Sequence, residues 1–437
     1  MYNRPINVLP LDARPLDVLT LEQFWQWSQA KQSEDHPALT HARLLLSQLF
    51  ESYADAFALR LWNGQMLYVG EQAPAFTISL SATLVRDRNL LTTPLPWLAA
   101  YLRGDVQVLG DLRAALQCLE YFQALPIPMA TSLARALRAV APLMPSEEAE
   151  SSQPGLTTQA LRPEAATLSL DYNAPSDFYR HWLDERMLHS CAYFCGQTRD
   201  LSQAQQNQLD LICLKLRLQH GDHLLDLSGG WGGLACWAAK HYGVFVHAYI
   251  QNPAQFAYAS KLVQNQQLSH LVTLTQGDYR DVTAQGEYDK AVCIGVAEHV
   301  GEPHLPAFLN KVHAALTPGG LFLSHGMTNE RAAWQPEDAT HRLVNEQLYP
   351  QGKLASFPQL LQCMDAARFE VFNVEGLRQH FVQTLRHWLR GLESQHQDVT
   401  PTIGERNYRA WRLYMTASLI QFEQGLTGIH QIVATRR

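Results

Sequence analysis

The feature that most constrains this chain is an alternation of short apolar runs with amphipathic helical stretches, beginning at residue 222. DHLLDLSGG reads as a strand, WGGLACWAAKHYG as a helix closed by Gly243, and VFVHAYI as a strand. NPAQFAYASKLVQNQQ follows as a helix, LVTLTQGD and YDKAVCIGVA as strands, LPAFLNKVHAALTPGG as a helix and LFLSHGM as a strand. Apolar strands that alternate with helices bury both faces of a mostly parallel sheet, so the predicted class is α/β with helices on both faces. In such sheets ligands bind beyond the carboxyl ends of the strands.

The first strand runs into Asp226-Leu-Ser-Gly229-Gly230-Trp231-Gly232-Gly233 and then a helix. Glycines there permit a tight turn and close approach of a ligand to bare backbone, beside the unpaired N–H groups of a helix start. A dinucleotide site places an acid about 20 residues past the glycines, but no Asp or Glu lies between Asp226 and Asp278. That lowers the NAD reading and favours S-adenosylmethionine. The second strand ends instead in Gln251-Asn252-Pro253, followed by Gln255. Asp226 falls toward the amino-acid end of such a cofactor, and Asp278, with Tyr279 after it, toward its adenine. Asp278 as a plain helix cap is the competing reading.

The region before residue 164 differs in character. Residues 1–57 read as helical, clearest in HARLLLSQLFESYADAF, and LRLWNG, QMLYVG and AFTISL as short strands. PLPWLAAYLRG reads as a helix, either a core helix or a membrane-docking element through Trp97 and Tyr101. Residues 146–163, rich in acid, Ser, Gln, Gly and Pro, form a linker. The predicted domains are therefore 1–145 (a smaller α+β lipid- or membrane-engaging domain), the linker 146–163, and 164–437.

Composition sets outer bounds. Apolar residues make up 46% and charged residues 17% of 437, against about 25% charged in an average domain. No run approaches the roughly 18 apolar residues of a spanning helix. The net charge of −7 gives no general attraction to nucleic acid or to anionic lipid. The seven cysteines are odd in number and unpaired in spacing, so neither a disulfide framework nor a metal site is expected. The opening MYNRPINVLPLDARP lacks an apolar leader, and the expected location is cytoplasmic.

Several ordered segments resemble the cyclopropane fatty acid synthase and mycolic acid cyclopropane synthase family. These are DYNAPSDFYRHWLDERMLHSCAYF, LDLSGGWGGLA, AYIQNPAQFAYA, GDYRDV, YDKAVCIGVAEHVGEP, LTPGGLFLSH, LYPQGKLAS, HFVQTLRHW and the closing YRAWRLYMTASLIQFEQGLTGIHQIVAT. The resemblance covers residues 165–437. It implies a Rossmann-like, S-adenosylmethionine-dependent methyltransferase acting on double bonds of phospholipid acyl chains, reversibly bound at the inner membrane face, with a homodimer possible. It also implies cofactor contacts at Tyr172, Ser190, Gly229, Gly230, Trp231 and Gln255. Cys191, Glu298 and His325 fall where the family holds a bicarbonate ion as general base. Tyr193, Phe194 and Tyr279 offer rings to a carbocation on the acyl chain.

Departures bear on mechanism. Ser228 stands where the family has glycine, and Ile250 and Asn252 where it has Thr and Ser. Asp171 and Asn173 replace His and Asp, and Ala297 replaces a bulkier residue. Phe381 stands where the family has a tyrosine whose hydroxyl reaches the bicarbonate. One hydrogen bond to a charged ligand, worth about 1.5–3 kcal/mol, is then missing. Either another group, such as His380, substitutes, or the product becomes a methyl-branched or methylene chain. The rival functions are methyl transfer to a soluble small molecule and lipid binding without catalysis.

Overall fold

The structure, a computed structural model, describes residues 37–61, 64–81, 94–124, 174–330 and 354–437. The linker 146–163, the first 36 residues, Asp171, Tyr172 and Asn173 lie outside the described residues. Those described form two compact units, one from residues up to 81 and from 105–124, the other from 94–104 and 174–437.

In the first unit helix α1 (Pro37–Leu49) precedes strands β1 (Phe57–Arg60), β2 (Met66–Val69) and β3 (Phe76–Leu80). The helix stops at Leu49 although the apolar periodicity runs on. Phe50, Tyr53 and Phe57 turn inward together, with the Phe50 and Phe57 rings 4.9 Å apart. After helix α2 (Pro94–Arg103) the chain returns as β4 (Val106–Gly110) and α3 (Leu112–Ala124). The sheet order is β2-β1-β3-β4, with β1 and β3 parallel.

Helix α2 belongs to the second unit, although by sequence it falls in the N-terminal domain. Leu98, Ala100, Tyr101 and Leu102 are buried. Arg409 donates to the Tyr101 carbonyl at 3.2 Å. The segment considered for membrane docking thus takes the core role. Among the described residues no helix is long and apolar enough to cross a membrane.

The second unit opens with α4 (Ser176–Arg180) and α5 (Leu201–Lys215). It continues through β5 (His223–Asp226), α6 (Gly233–Tyr242), β6 (Phe245–Ile250), α7 (Pro253–Asn265), β7 (Val272–Gln276), β8 (Tyr288–Ile294), α8 (Ala297–Val300), α9 (Leu305–Ala315) and β9 (Leu316–Asn329). Then come α10 (Phe357–Ala366), β10 (Phe369–Gly376), α11 (Arg378–Ser394), α12 (His396–Ile403), α13 (Glu405–Gln424) and β11 (Thr427–Arg436). The sheet order is β10-β11-β9-β8-β5-β6-β7. β11 runs antiparallel to both its neighbours, and the pairs from β9 to β7 are all parallel.

One face of the sheet packs Leu224, Val246 and Val292 against α5, α6 and α7. The other packs Leu225, Ala291 and Phe322 against α9 and α10. From β5 the chain winds outward through β6 and β7, then crosses back to β8. The reversal leaves a crevice at the carboxyl ends of β5 and β8, where ligands bind in open sheets of this kind.

Candidate active site

The glycine loop fills the crevice. A Cβ on Gly229 would lie 2.7 Å from Ile250 Cγ1 and 3.1 Å from the Tyr249 carbonyl, so only glycine fits between β5 and β6. Gly230 has φ +49°, a conformation other residues adopt at a penalty. Ser228 lies outside the left-handed region. Its hydroxyl donates to Asp226 Oδ1 and accepts from the Ile294 N–H, both at 2.9 Å. This bond clamps the two strand ends at the reversal.

Asp226 is buried, and desolvation pushes its carboxyl up to about 6, against the lowering effect of the Ser228 N–H and hydroxyl. Its Oδ2 has no protein partner. Trp231 packs between Tyr179 and Tyr258, at 5.3 and 5.2 Å, with its indole N–H also unpartnered.

The other candidate cofactor positions follow the ends of β6 and β7 on the same edge. Asn252 caps α7, accepting from the Ala254 and Gln255 N–H groups at 2.8 and 3.1 Å. Gln255 is half-buried in the first turn of that helix. Asp278 caps the short turn Tyr279–Asp281 and pairs with Arg280, whose hydrogen bond holds its carboxyl below the usual range. The cap reading of Asp278 therefore describes its side chain, beside whatever it offers a ligand.

Beyond β8 and β9 the carboxylate of Glu298 lies against the strand backbone. Oε1 accepts the Met327 N–H at 2.7 Å, and a Cβ on Gly326 would come within 3.3 Å of it. Oε2 is buried without a protein partner. Burial raises this carboxyl to about 7, so near neutral pH a large share is the neutral acid, able to donate from Oε2. His325 pairs in register with Ile294 on β8 and Gln431 on β11. It is only 2% exposed, and burial, helped by the Lys215 charge, pushes its ring down to about 3. The imidazole is neutral, and Nε2 has no protein partner.

The segment 188–194 closes the site from the side. Gln205 donates to the Leu188 and Ser190 carbonyls, and Ser190 Oγ donates to Gln208 Oε1 at 3.1 Å. Cys191 is buried, its thiol pushed well above its usual value by desolvation and held near the Leu377 carbonyl. It is therefore a neutral thiol. The next residue, Ala192, gives its N–H to Thr384 at 3.1 Å.

Phe381 is buried edge-on between Trp388 and Phe422, with centroids 5.8 and 4.8 Å away. His380, considered as its substitute, spends Nδ1 on the Phe194 N–H at 3.0 Å and stacks on Tyr193.

The rings named from the sequence each meet another ring. Tyr193 stacks on His380, Phe194 on His387, and Tyr279 lies edge-on to Phe308. A second aromatic group beside Ser190 is built from Tyr179, Trp182, Trp388 and Trp411 around His189, 5.0 Å from Trp388. His189 keeps accessible surface although burial and then the nearby His299 push it down to about 4. Sequence reasoning missed His189, His299 and the two buried glutamines. The glutamines had a signal, since Gln205 and Gln208 share the face of α5 with apolar Ala204 and Leu209.

The mycolic acid cyclopropane synthetase family model matches residues 159–432. A probable fatty acid methyltransferase of Pseudomonas putida is 32% identical over 385 residues, covering 86% of this chain and 91% of that protein. Sphingolipid C9-methyltransferase A of Emericella nidulans is 32% identical over 275 residues, covering 61% of this chain and 52% of that protein. Among solved structures, mycolic acid cyclopropane synthase CmaA1 complexed with SAH and CTAB is similar, with TM-score 0.58 and 27% identity. It covers 63% of this chain and 100% of that one.

Proposed function

The chain belongs to the mycolic acid cyclopropane synthetase family, and from that membership we propose that it methylates the double bond of an unsaturated acyl chain of a phospholipid. It is an S-adenosylmethionine-dependent methyltransferase that acts on lipids. The observation that most supports the finer reading is the pair Glu298 Oε2 and His325 Nε2. Both are buried polar atoms without protein partners: Oε1 of the same Glu298 accepts the Met327 N–H of strand β9, and His325 lies two residues earlier on that strand.

The residues present fit S-adenosylmethionine. Gly229 lets the loop pack tightly on β6, the space beside Gly230 is open, and the orphaned Asp226 Oδ2 and Trp231 N–H are polar atoms in need of a partner. Ser190, Asn252, Gln255, Asp278 and Tyr279 complete the cofactor contacts in this reading. The cofactor supplies an electrophilic sulfonium methyl. The protein positions it, excludes water and lines the cleft with aromatic faces that favour positive charge on the acyl chain.

The residues also fit a bicarbonate ion. An anion needs donors, and His325 Nε2–H and the protonated Glu298 Oε2–H are two, with the neutral Cys191 thiol beside the segment that carries Ser190. Held by these residues, such an ion would supply a weakly basic oxygen as acceptor for a proton of the added methyl group. Phe381 offers no third donor, so proton removal is the step this chain modifies, and the product is a cyclopropane or else a methyl-branched or methylene chain.

The enzyme works at the cytoplasmic face of the inner membrane, docking reversibly, and dimerises. Local apolar contact carries the docking, because the net charge of −7 opposes attraction to anionic lipid.

The test incubates the protein with methyl-deuterated S-adenosylmethionine and vesicles of unsaturated phospholipid, read by mass spectrometry. A cyclopropane or methylene product keeps two deuteriums, and a methyl branch can keep all three. No label in lipid sinks the reading. Parallel vesicles with unsaturated sphingolipid test a second reading, favoured by the relative named as a sphingolipid C9-methyltransferase. Vesicle sedimentation and sizing by light scattering test docking and dimerisation.

A further inference from the structure

The row of side chains across β9, β11 and β10 continues His325 outward. Gln431 stands opposite His325 on β9 and opposite Glu375 on β10, so three strands bring these residues into one line. Gln431 Nε2 lies 3.3 Å from His325 Nδ1. Gln431 Oε1 lies 2.7 Å from Lys215 Nζ, at the last residue of α5. Lys215 Nζ also meets Glu375 Oε2 at 2.6 Å, and Glu375 Oε1 accepts from the Tyr193 hydroxyl at 3.2 Å. Gln431 is fully buried, and the Lys215 side chain nearly so.

The chemistry of this line has one consistent assignment. An ammonium only donates, so the amide atom facing Lys215 is the carbonyl oxygen. The atom facing His325 is then the NH2 group, which also only donates. His325 Nδ1 must accept, and in a neutral imidazole the proton then sits on Nε2. We propose that Lys215 and Gln431 are positioning residues that lock His325 in the Nε2–H tautomer, presenting a fixed hydrogen-bond donor to the anion in the active site. Glu375 holds Lys215 in place, and Tyr193 ties Glu375 to the segment that carries Ser190 and Cys191. Neither Lys215 nor Gln431 meets the reacting atoms. They act by deciding which nitrogen of His325 carries its proton, as an outer hydrogen bond does for a histidine at a metal.

The inference rests on reading His325 as a donor to an anion, but its first test does not. The full-length protein is labelled with 15N-histidine, and His325 is assigned by its loss in His325→Asn. The expected spectrum is that of the Nε2–H tautomer. Gln431→Glu replaces the donor by an acceptor and is expected to move the His325 signals to the Nδ1–H or doubly protonated form. Lys215→Met frees the amide to flip and is expected to give a mixture of tautomers, which Lys215→Arg restores to one. The Lys215 pair carries the test if Gln431→Glu does not fold, with calorimetric binding of S-adenosylmethionine as the check of folding.

A native Nδ1–H tautomer, or a native-like His325 spectrum in Lys215→Met, overturns the proposal. With lipid as substrate, Lys215→Met should raise the bicarbonate concentration for half-maximal turnover in inverse proportion to the Nε2–H fraction that remains, about two-fold for an even mixture. If the tautomer shifts while the bicarbonate response stays flat, the anion reading fails and the tautomer lock stands.

Discussion

The Ile294 N–H donates to Ser228 Oγ at 2.9 Å, tying the carboxyl end of β8 to the glycine loop after β5. The same hydroxyl donates to Asp226. Ser228→Ala removes both bonds, leaving the Ile294 N–H without this acceptor and Asp226 Oδ1 with only the Ser228 N–H. The expected loss is about 1–3 kcal/mol in urea unfolding. Removing the hydroxyl also takes away one of the bonds that restrain the Asp226 carboxyl, so its pKa should rise above about 6, which carboxyl NMR of the variant measures.

Gly229 and Gly230 should respond differently to alanine. A methyl at Gly229 meets Ile250 and Ala248, and overpacking of this kind costs about 1–3 kcal/mol. Because relief pushes the loop into the crevice, binding of S-adenosylmethionine should weaken as well. At Gly230 the space is open and only φ +49° is unfavourable, a penalty of about 1–2 kcal/mol. Paired denaturant melts and calorimetric titrations separate the two.

Glu298 gives a pH-dependent prediction. Its carboxyl titrates near 7 in the folded chain and near 4.5 unfolded. The folded state therefore holds the proton more tightly, and this contribution is present below about 4.5 and lost as pH rises through 7. Glu298→Gln keeps an acceptor for the Met327 N–H and does not ionise. Relative to the native protein it should gain about 3 kcal/mol between pH 4 and pH 8, at about 1.4 kcal/mol per unit. Urea midpoints of both proteins across that range check it. His189 and His325 are pushed in the opposite sense, which is why the difference, and not the native curve alone, is the measurement.

Phe381→Tyr puts a hydroxyl on a ring that now packs edge-on to Trp388 and Phe422. The added donor should lower the bicarbonate concentration for half-maximal turnover by about ten-fold or more. It should also shift product toward the fully deprotonated cyclopropane in the deuterium assay. An unchanged product and an unchanged bicarbonate response would show that position 381 has no part in proton removal.

Much of the catalytic unit was legible because its signals are local. The strand–glycine–helix run from Asp226 to Gly233 and the missing acid after β6 pointed to the cofactor class. The spacing of β5 to β9 gave the parallel core of the sheet. The end of the sheet was harder. β10 and β11 are separated by three helices, and β11 inserts antiparallel between β9 and β10, a pairing that no nearby residue announces. Helix α2 gave the signal of an amphipathic helix, but not which unit it packs with.

What the sequence by itself determined is which groups are available: glycines where backbone must come close, Glu298 and His325 at strand ends, and a phenyl ring in place of a phenol at position 381. What only the tertiary structure decided is the state of those groups. Burial raises Glu298 toward neutrality and strips His325 of charge. Strand β11 and helix α5, distant in the chain, place Gln431 and Lys215 behind the histidine, on the Nδ1 side of its ring. Desolvation and hydrogen-bond direction depend on neighbours brought together across more than 200 residues of chain, and no local pattern in the sequence carries them.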